Sequence, residues 1–441
     1  MNQFIFESKH KTVTLGMMAV GMLCLILSYI MEPAALTATG ADGVVHNTHA
    51  RFWTNFLHNS VFFTGIAFIS FFVITASVTA YAGWFVAFKR LWEAFGSFMI
   101  FGMGLLLIVA AANWLHVNHL YHWAGDIEGD RILEGKSSFL NNYWYTFGTL
   151  IIIGTWYFFW RKIRSISVDE DVNGTTAFEH HKKIRKWSAV FMPIAGFTSA
   201  AMIWQWVMSV DGHWYSTMFA WYSTASWFVS AISLTILTMI WLKSKGYYSE
   251  IHDEHMHDLG KFLFAFSIFW TYLWFSQYML IWYANNGEET IYFRNRQDNF
   301  PILFYGNLVM NFVLPFLILL RNSTKRKYGT LIFVSVLCLF GHWWDYFQMI
   351  KPGVMHTAQE YVHHAAGAAH GEGGHAAGFV SGFTLPGFLE LGVFVGFLGL
   401  FFYVVLTTLS KAALVPKNDP YLEESFHHHI GYGGGHEVHH H

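Results

Sequence analysis

The sequence predicts an all-α integral membrane protein of about ten transmembrane helices, built as two four-helix bundles with a flanking helix at each end. Three observations predict it. The 441 residues are 54% hydrophobic and only 12% charged, far from the soluble range, where charged residues make up about a quarter. Ten apolar stretches have a length of about 20 residues, enough to cross a hydrocarbon core of about 30 Å. Lys and Arg alternate between successive connections, with 20 of the 26 basic residues in one set.

In chain order the spans are 12–31, 53–80, 91–113, 142–160, 187–210, 218–242, 260–284, 301–320, 328–350 and 385–409. The first follows a basic start, has no convincing small-residue cleavage site, and reads as a retained helix rather than a removed signal. The second is long enough to tilt. Pro193, Gly196 and Pro315 lie inside spans, where neighbouring helices re-satisfy freed backbone groups. Arg51, Arg131, Lys136, Arg294, Arg296 and Lys351 are the basic minority, and they share their face with acidic residues such as Glu128, Asp130 and Glu134. The asymmetry predicts an even number of spans with both termini cytoplasmic.

Spans two to five align weakly with spans six to nine. Asn113 matches Asn286, Asn141 and Gly148 match Asn299 and Gly306, and Trp204-Gln205-Trp206 matches Trp344-Asp345-Tyr346. Two parallel bundles are the simplest architecture with that symmetry. The predicted organisation is an N-terminal segment with the first helix (1–52), a first bundle (53–210) and a second bundle (211–352). A His/Gly/Ala-rich outer loop (353–384), the last helix (385–410) and a His-rich tail (411–441) follow.

Composition also excludes functions. A net charge of −2 implies no nucleic-acid partner. Cys24 and Cys338 each sit in an apolar run, so no disulfide framework is expected. With no CxxCH and no cysteine cluster, neither covalent haem nor an iron–sulfur centre can be held by this chain.

Ionisable side chains inside spans are expensive, and each is a functional candidate. The proton-path candidates are His58, Asp211, His342, Asp345 and Glu390, all nearer the outer face. A quinol must lose two protons, and a His beside a carboxylate can take them. The competing reading is structural: such groups sit wet or paired at the interface. Asp211 and Asp345, at predicted helix ends, fit the structural reading, whereas for His58 and Glu390 both readings stand. His116, His119 and His122 recur at i, i+3 and i+6 where span three leaves the membrane, so two of them share a face, and they read as interfacial residues capping an aromatic helix end. The His-rich loop (His363, His364, His370, His375) and the tail lack the fixed spacing of a metal site, so no metal is assigned. In the stretch FSQYMLIWYANNGEET (275–290), an aromatic helix end runs into an acidic turn. Glu288, Glu289, Arg294 and Arg296 are therefore candidates for a partner interface.

On that stretch, the WWDYF close of span nine (343–347), the ten-span layout and the paired bundles, the chain resembles the NrfD-like membrane subunits of alternative complex III. The likeness covers nearly the whole chain outside the two His-rich segments. It implies a bacterial inner-membrane respiratory complex that oxidises menaquinol or another quinol. Electrons would pass through iron–sulfur clusters and c-type haems on partner subunits to an acceptor such as a terminal haem-copper oxidase. The implied partners are an NrfD-like quinol-site subunit, an iron–sulfur subunit, and multihaem and monohaem cytochromes c. For this chain the resemblance implies no cofactor and no catalytic residue, but a scaffold with a proton pathway. The sister subunit's quinol site uses a His and an Asp in its first bundle. His58 is the counterpart here, with no carboxylate expected in spans two to four beside it. Two other readings are the quinol-oxidising subunit itself and, from another class, a secondary transporter.

Overall fold

A computed structural model describes residues 3–32, 36–39, 45–125, 127–174, 178–365 and 385–428. The predicted His-rich stretches at 366–384 and 429–441, with His370 and His375, lie outside these residues. The described chain is almost entirely helical, and ten long helices follow in order. They are α1 Ser8–Ile30, α2 Ala50–Thr79, α3 Val86–Trp114, α4 Asn142–Asn173, α5 Glu179–Val210, α6 Met218–Ser244, α7 Asp253–Ala284, α8 Pro301–Leu319, α9 Tyr328–Ala365 and α10 Phe388–Leu409. Among the described residues nine of them, all but α4, are long and apolar enough to cross a membrane. The chain is therefore an all-α, multi-pass membrane protein.

The fourth helix falls short because Trp144, Tyr145, Trp156, Tyr157 and Trp160 dilute its aliphatic stretch. It nevertheless runs the length of α3. Trp114 Nε1, where α3 ends, donates to Thr146 Oγ1 at 3.0 Å, and Trp160 Nε1 donates to the Glu93 carbonyl near the start of α3 at 2.7 Å. At the other extreme of the chain, Gln3 pairs with Ala413 in an isolated antiparallel bridge, so the first and last helices meet at one end of the molecule.

Several helices depart from the predicted spans for local reasons. The eighth opens into a π turn over Val309–Val313, just before Pro315, which has no N–H to give the Asn311 carbonyl. The ninth was expected to stop at 350, where Lys351-Pro352-Gly353 reads as a terminus. It carries Pro352 internally and continues to Ala365, 38 residues in all, into the segment expected to be loop. The predicted acidic turn after α7 is a helix, Gly287–Asn299, entered through Asn285 in the left-handed conformation at φ 49°.

Packing follows two closed rings. Helices α2, α3, α4 and α5 contact in sequence and back to α2, and α6, α7, α8 and α9 do the same. The rings join where α2 meets α6 and α9, while α1 lies along α10 and both rest on α2. Small residues permit the closest approach: a Cβ on Gly21 would lie 2.3 Å from the Gly396 Cα. A short antiparallel hairpin, Thr37–Thr39 with Val45–Asn47, links α1 to α2.

Candidate functional site

The most concentrated buried chemistry lies inside the second ring. Asp345, fully buried, projects from α9 into four donors supplied by the other three helices of the ring. Tyr222 OH and Ser226 Oγ come from α6, Trp270 Nε1 from α7 and Asn307 Nδ2 from α8, the last three at 2.8, 3.0 and 2.6 Å. A buried carboxylate needs this many partners, because an unpaired charge in an apolar interior costs several kcal/mol by order of magnitude. The π turn places one of them. Asn311 donates to Asn307 Oδ1 at 2.6 Å and to the Gly341 carbonyl at 2.9 Å, which turns the Asn307 amide nitrogen toward Asp345. Gly341 is required for that approach, since a Cβ there would meet Asn311 Oδ1 at 2.2 Å.

One turn before Asp345, His342 places Nδ1 2.7 Å from Ser226 Oγ. The hydroxyl has a single hydrogen and gives it to Asp345, so His342 must donate through Nδ1–H, which assigns its tautomer. His342 Nε2 is then an acceptor, buried and without a hydrogen-bond partner. The result is a directed chain from histidine through serine to aspartate. A proton arriving at Nε2 lets the Nδ1 proton pass to Ser226 and the serine proton pass to Asp345. That leaves a neutral imidazole in the other tautomer and a neutral acid.

His58, on α2, abuts the same stretch of α9. Its Nε2 lies 2.8 Å from the Trp343 carbonyl, which can only accept, so Nε2 carries the hydrogen and the buried Nδ1 is a bare acceptor. Trp343 in turn donates to Asn59 Oδ1 at 3.0 Å, binding α9 to α2.

The other sequence candidates sit apart from this cluster. Glu390 caps the start of α10 and accepts from Arg51 Nε at 2.8 Å, Arg51 Nη2 at 3.1 Å, Asn55 Nδ2 at 3.2 Å and the Gly387 N–H at 2.8 Å. That set makes it a clamp between α2 and α10. Asp211 pairs with Arg296 Nη2 at 2.9 Å. Arg296 is completely buried and also donates to the Tyr292, Gln348 and Met349 carbonyls, so it is an internal latch and not a surface for a partner. Glu288 and Arg294 are exposed and Glu289 is half-buried, with Arg294 3.5 Å from Asp298.

Three other expectations change. Asp345 was read as a helix-end charge at the interface, but α9 runs on to Ala365 and the carboxylate is enclosed. No two of His116, His119 and His122 share a helix face, because α3 ends at Trp114 and His116 takes a left-handed φ of 52°. A carboxylate does lie within spans two to four: Glu93 is buried at the start of α3, held by Arg90 at 2.8 Å, Ser167 at 2.7 Å and Arg164 at 3.4 Å. It was overlooked beside Lys89 and Arg90, which read as loop charges. It lies at the end of the first ring remote from His58, since Trp53 near the start of α2 bonds Val117, beyond the far end of α3.

Beyond the predicted end of span four, Glu170 is 1% exposed and neither carboxylate oxygen has a hydrogen bond. Burial, with Asp419 adding repulsion, pushes its carboxyl up to about 7, against the pull of Lys89. On the opposite side, burial drives His119 down to about 4.

Tyr222, Ser226, Trp270, Asn307 and Asn311 went unnoticed in sequence. The two asparagines four apart inside an apolar span were the available signal; Ser226 had none among the many serines of α6. No model of a known protein family matches the chain, and no curated protein matches it.

Proposed function

We propose that this chain is an integral subunit of a respiratory quinol:acceptor oxidoreductase, in the position of the second NrfD-like subunit of alternative complex III, and that it handles protons rather than electrons. The observation that carries the proton role is the His342–Ser226–Asp345 chain with its bare, buried Nε2. The family reading rests on the sequence resemblance, and the closed rings α2–α5 and α6–α9 are compatible with paired four-helix bundles. In this reading all ten helices cross a bacterial inner membrane, and the end bearing Lys89, Arg90 and Arg164 faces the cytoplasm. Haems and iron–sulfur clusters sit on the partner subunits, and the exposed Glu288 and Arg294 remain available for docking.

Two experiments test the proposal. A tagged copy should bring down a multihaem cytochrome c and an iron–sulfur protein; a chain that purifies alone from gently solubilised membranes defeats the family reading. In proteoliposomes of the whole complex, Asp345→Asn and His342→Gln should leave quinol oxidation near its normal rate and lower the proton-to-electron ratio. An unchanged ratio removes the proton role. A second reading, the quinol site itself, draws on the bare His58 Nδ1, an acceptor suited to a quinol hydroxyl. A quinone seen against His58 in a map of the complex would select it.

A further inference from the structure

Four segments far apart in sequence converge at the end of the molecule where α3 finishes. They are the 3-10 turn His122–Ala124, the N-cap of the short helix Arg131–Lys136, the bend after α5, and the extension of α9. They bring His122, Asp130, His213 and Glu360 together. One ligand atom from each of the first three lies within 4.8 Å of the other two. His213 Nε2 is 2.5 Å from Asp130 Oδ2, and His122 Nδ1 is 3.5 Å from Glu360 Oε2. That Glu360 oxygen is buried and makes no hydrogen bond. The group lies on a cavity of about 1010 Å³, which gives it an entry path.

We propose that His122, Asp130 and His213, with Glu360 as the fourth ligand, form a binding site for a divalent transition-metal ion of the zinc class. Two imidazoles and two carboxylates match the nitrogen and oxygen ligands that zinc accepts in a tetrahedron, with bonds of about 2.0–2.2 Å. Donor atoms in such a tetrahedron stand about 3.3 Å apart, so the His213–Asp130 pair opens around the ion while Glu360, 3.5 Å from His122, closes on it from α9.

The chain behind three of the four ligands is already pinned. Asp130 Oδ1 accepts from the N–H groups of Ile132 and Leu133 at 3.0 and 3.1 Å, leaving Oδ2 for the ion. Lys136 Nζ holds the Gly212 carbonyl at 2.8 Å, and Trp214 stacks on Tyr292 at 3.9 Å, which brackets His213. Tyr121 donates to the Trp206 carbonyl at 2.8 Å beside His122. An ion here would tie the α9 extension to the loops on either side of the first ring. The site is independent of the proton role.

The test uses the full chain purified without metal-affinity resin, stripped with chelator and titrated with Zn²⁺, and with Co²⁺ for its optical bands. Any metal taken up by the His-rich loop and tail is common to every variant, so the readout is the difference between variants. The wild type should hold one Zn²⁺ per chain more than His213→Ala, show tetrahedral Co²⁺ bands that the variant lacks, and gain unfolding temperature on adding Zn²⁺ where the variant does not. Asp130→Asn, nearly isosteric, should weaken that one site at least tenfold and serves if His213→Ala does not fold. His356→Ala, beside Glu360 but outside the set, should bind as the wild type does. Equal Zn²⁺ stoichiometry and affinity in wild type and Asp130→Asn would overturn the proposal and leave two plain ion pairs.

Discussion

The two rings of helices differ in what occupies matching positions. Where the second ring holds Asp345 between Trp344 and Tyr346, the first holds Gln205 between Trp204 and Trp206. Asp345 gathers donors from every other helix of its ring, whereas Gln205, equally enclosed, has no hydrogen bond on either amide atom. The first ring is filled with packed aromatics, such as Phe68 against Trp156 at 4.1 Å with Trp206 edge-on beyond. An under-bonded amide costs about 1–3 kcal/mol and can be carried by good packing, while a buried charge left without a partner costs more. One ring is thus organised around a titratable group and the other around packing, with charges of the first ring, the buried Arg90 and Glu93 and the half-buried Arg164, moved to its end.

That contrast can be broken in several ways. Asp345→Leu strands four donors at once and should lower stability by about 4 kcal/mol, whereas Gln205→Leu should be neutral or slightly stabilising. Thermal unfolding in nanodiscs measures both, and equal losses would end the distinction between the rings. The junction of the rings is next. A Cβ on Gly65 of α2 would lie 1.8 Å from the Trp227 ring of α6, so Gly65→Val should cost about 3 kcal/mol by overpacking. Gly104→Val, in open space, should be neutral or slightly stabilising, because valine is the better helix former.

Smaller effects lie at the ends. Arg296→Ala should cost about 2 kcal/mol, less than a fully buried pair because the Asp211 side chain is 19% exposed. Arg294→Ala, with its side chain 82% exposed, should leave the unfolding temperature unchanged. A separate effect is one of pH. Glu170 titrates near 7 in the folded chain against an ordinary 4.5, so between those values the folded state keeps a proton that the unfolded chain has lost. Stability from this group is full below about 4.5, falls as pH rises to about 7, and is flat above. Glu170→Gln should remove that slope in unfolding temperature measured from pH 5 to pH 8.

The positions of the helices were legible because membrane spans announce themselves by length and by apolar composition, which are local properties. Even the misjudged elements had local causes: Pro352 hid the continuation of α9, and Trp and Tyr masked how far α4 runs. His342 and Asp345 were visible as costly charges in an apolar run. Their partners were not, because Tyr222, Ser226, Trp270 and Asn307 are ordinary residues until three other helices aim them at one carboxylate. The same holds for His122, Asp130, His213 and Glu360, whose separations in sequence carry no ligand spacing at all.

By itself, then, the amino-acid order determined that this chain is helical, that it belongs in a bilayer, and that it carries two isolated cysteines and no CxxCH motif. Those consequences follow from side-chain transfer energies and cysteine chemistry, which act residue by residue. Only the tertiary structure decided that Arg296 is a latch, that Glu390 is a clamp and that Asp345 ends a hydrogen-bonded chain from His342. Hydrogen bonds require partners within about 3 Å, and which residues come that close is settled by how the helices pack.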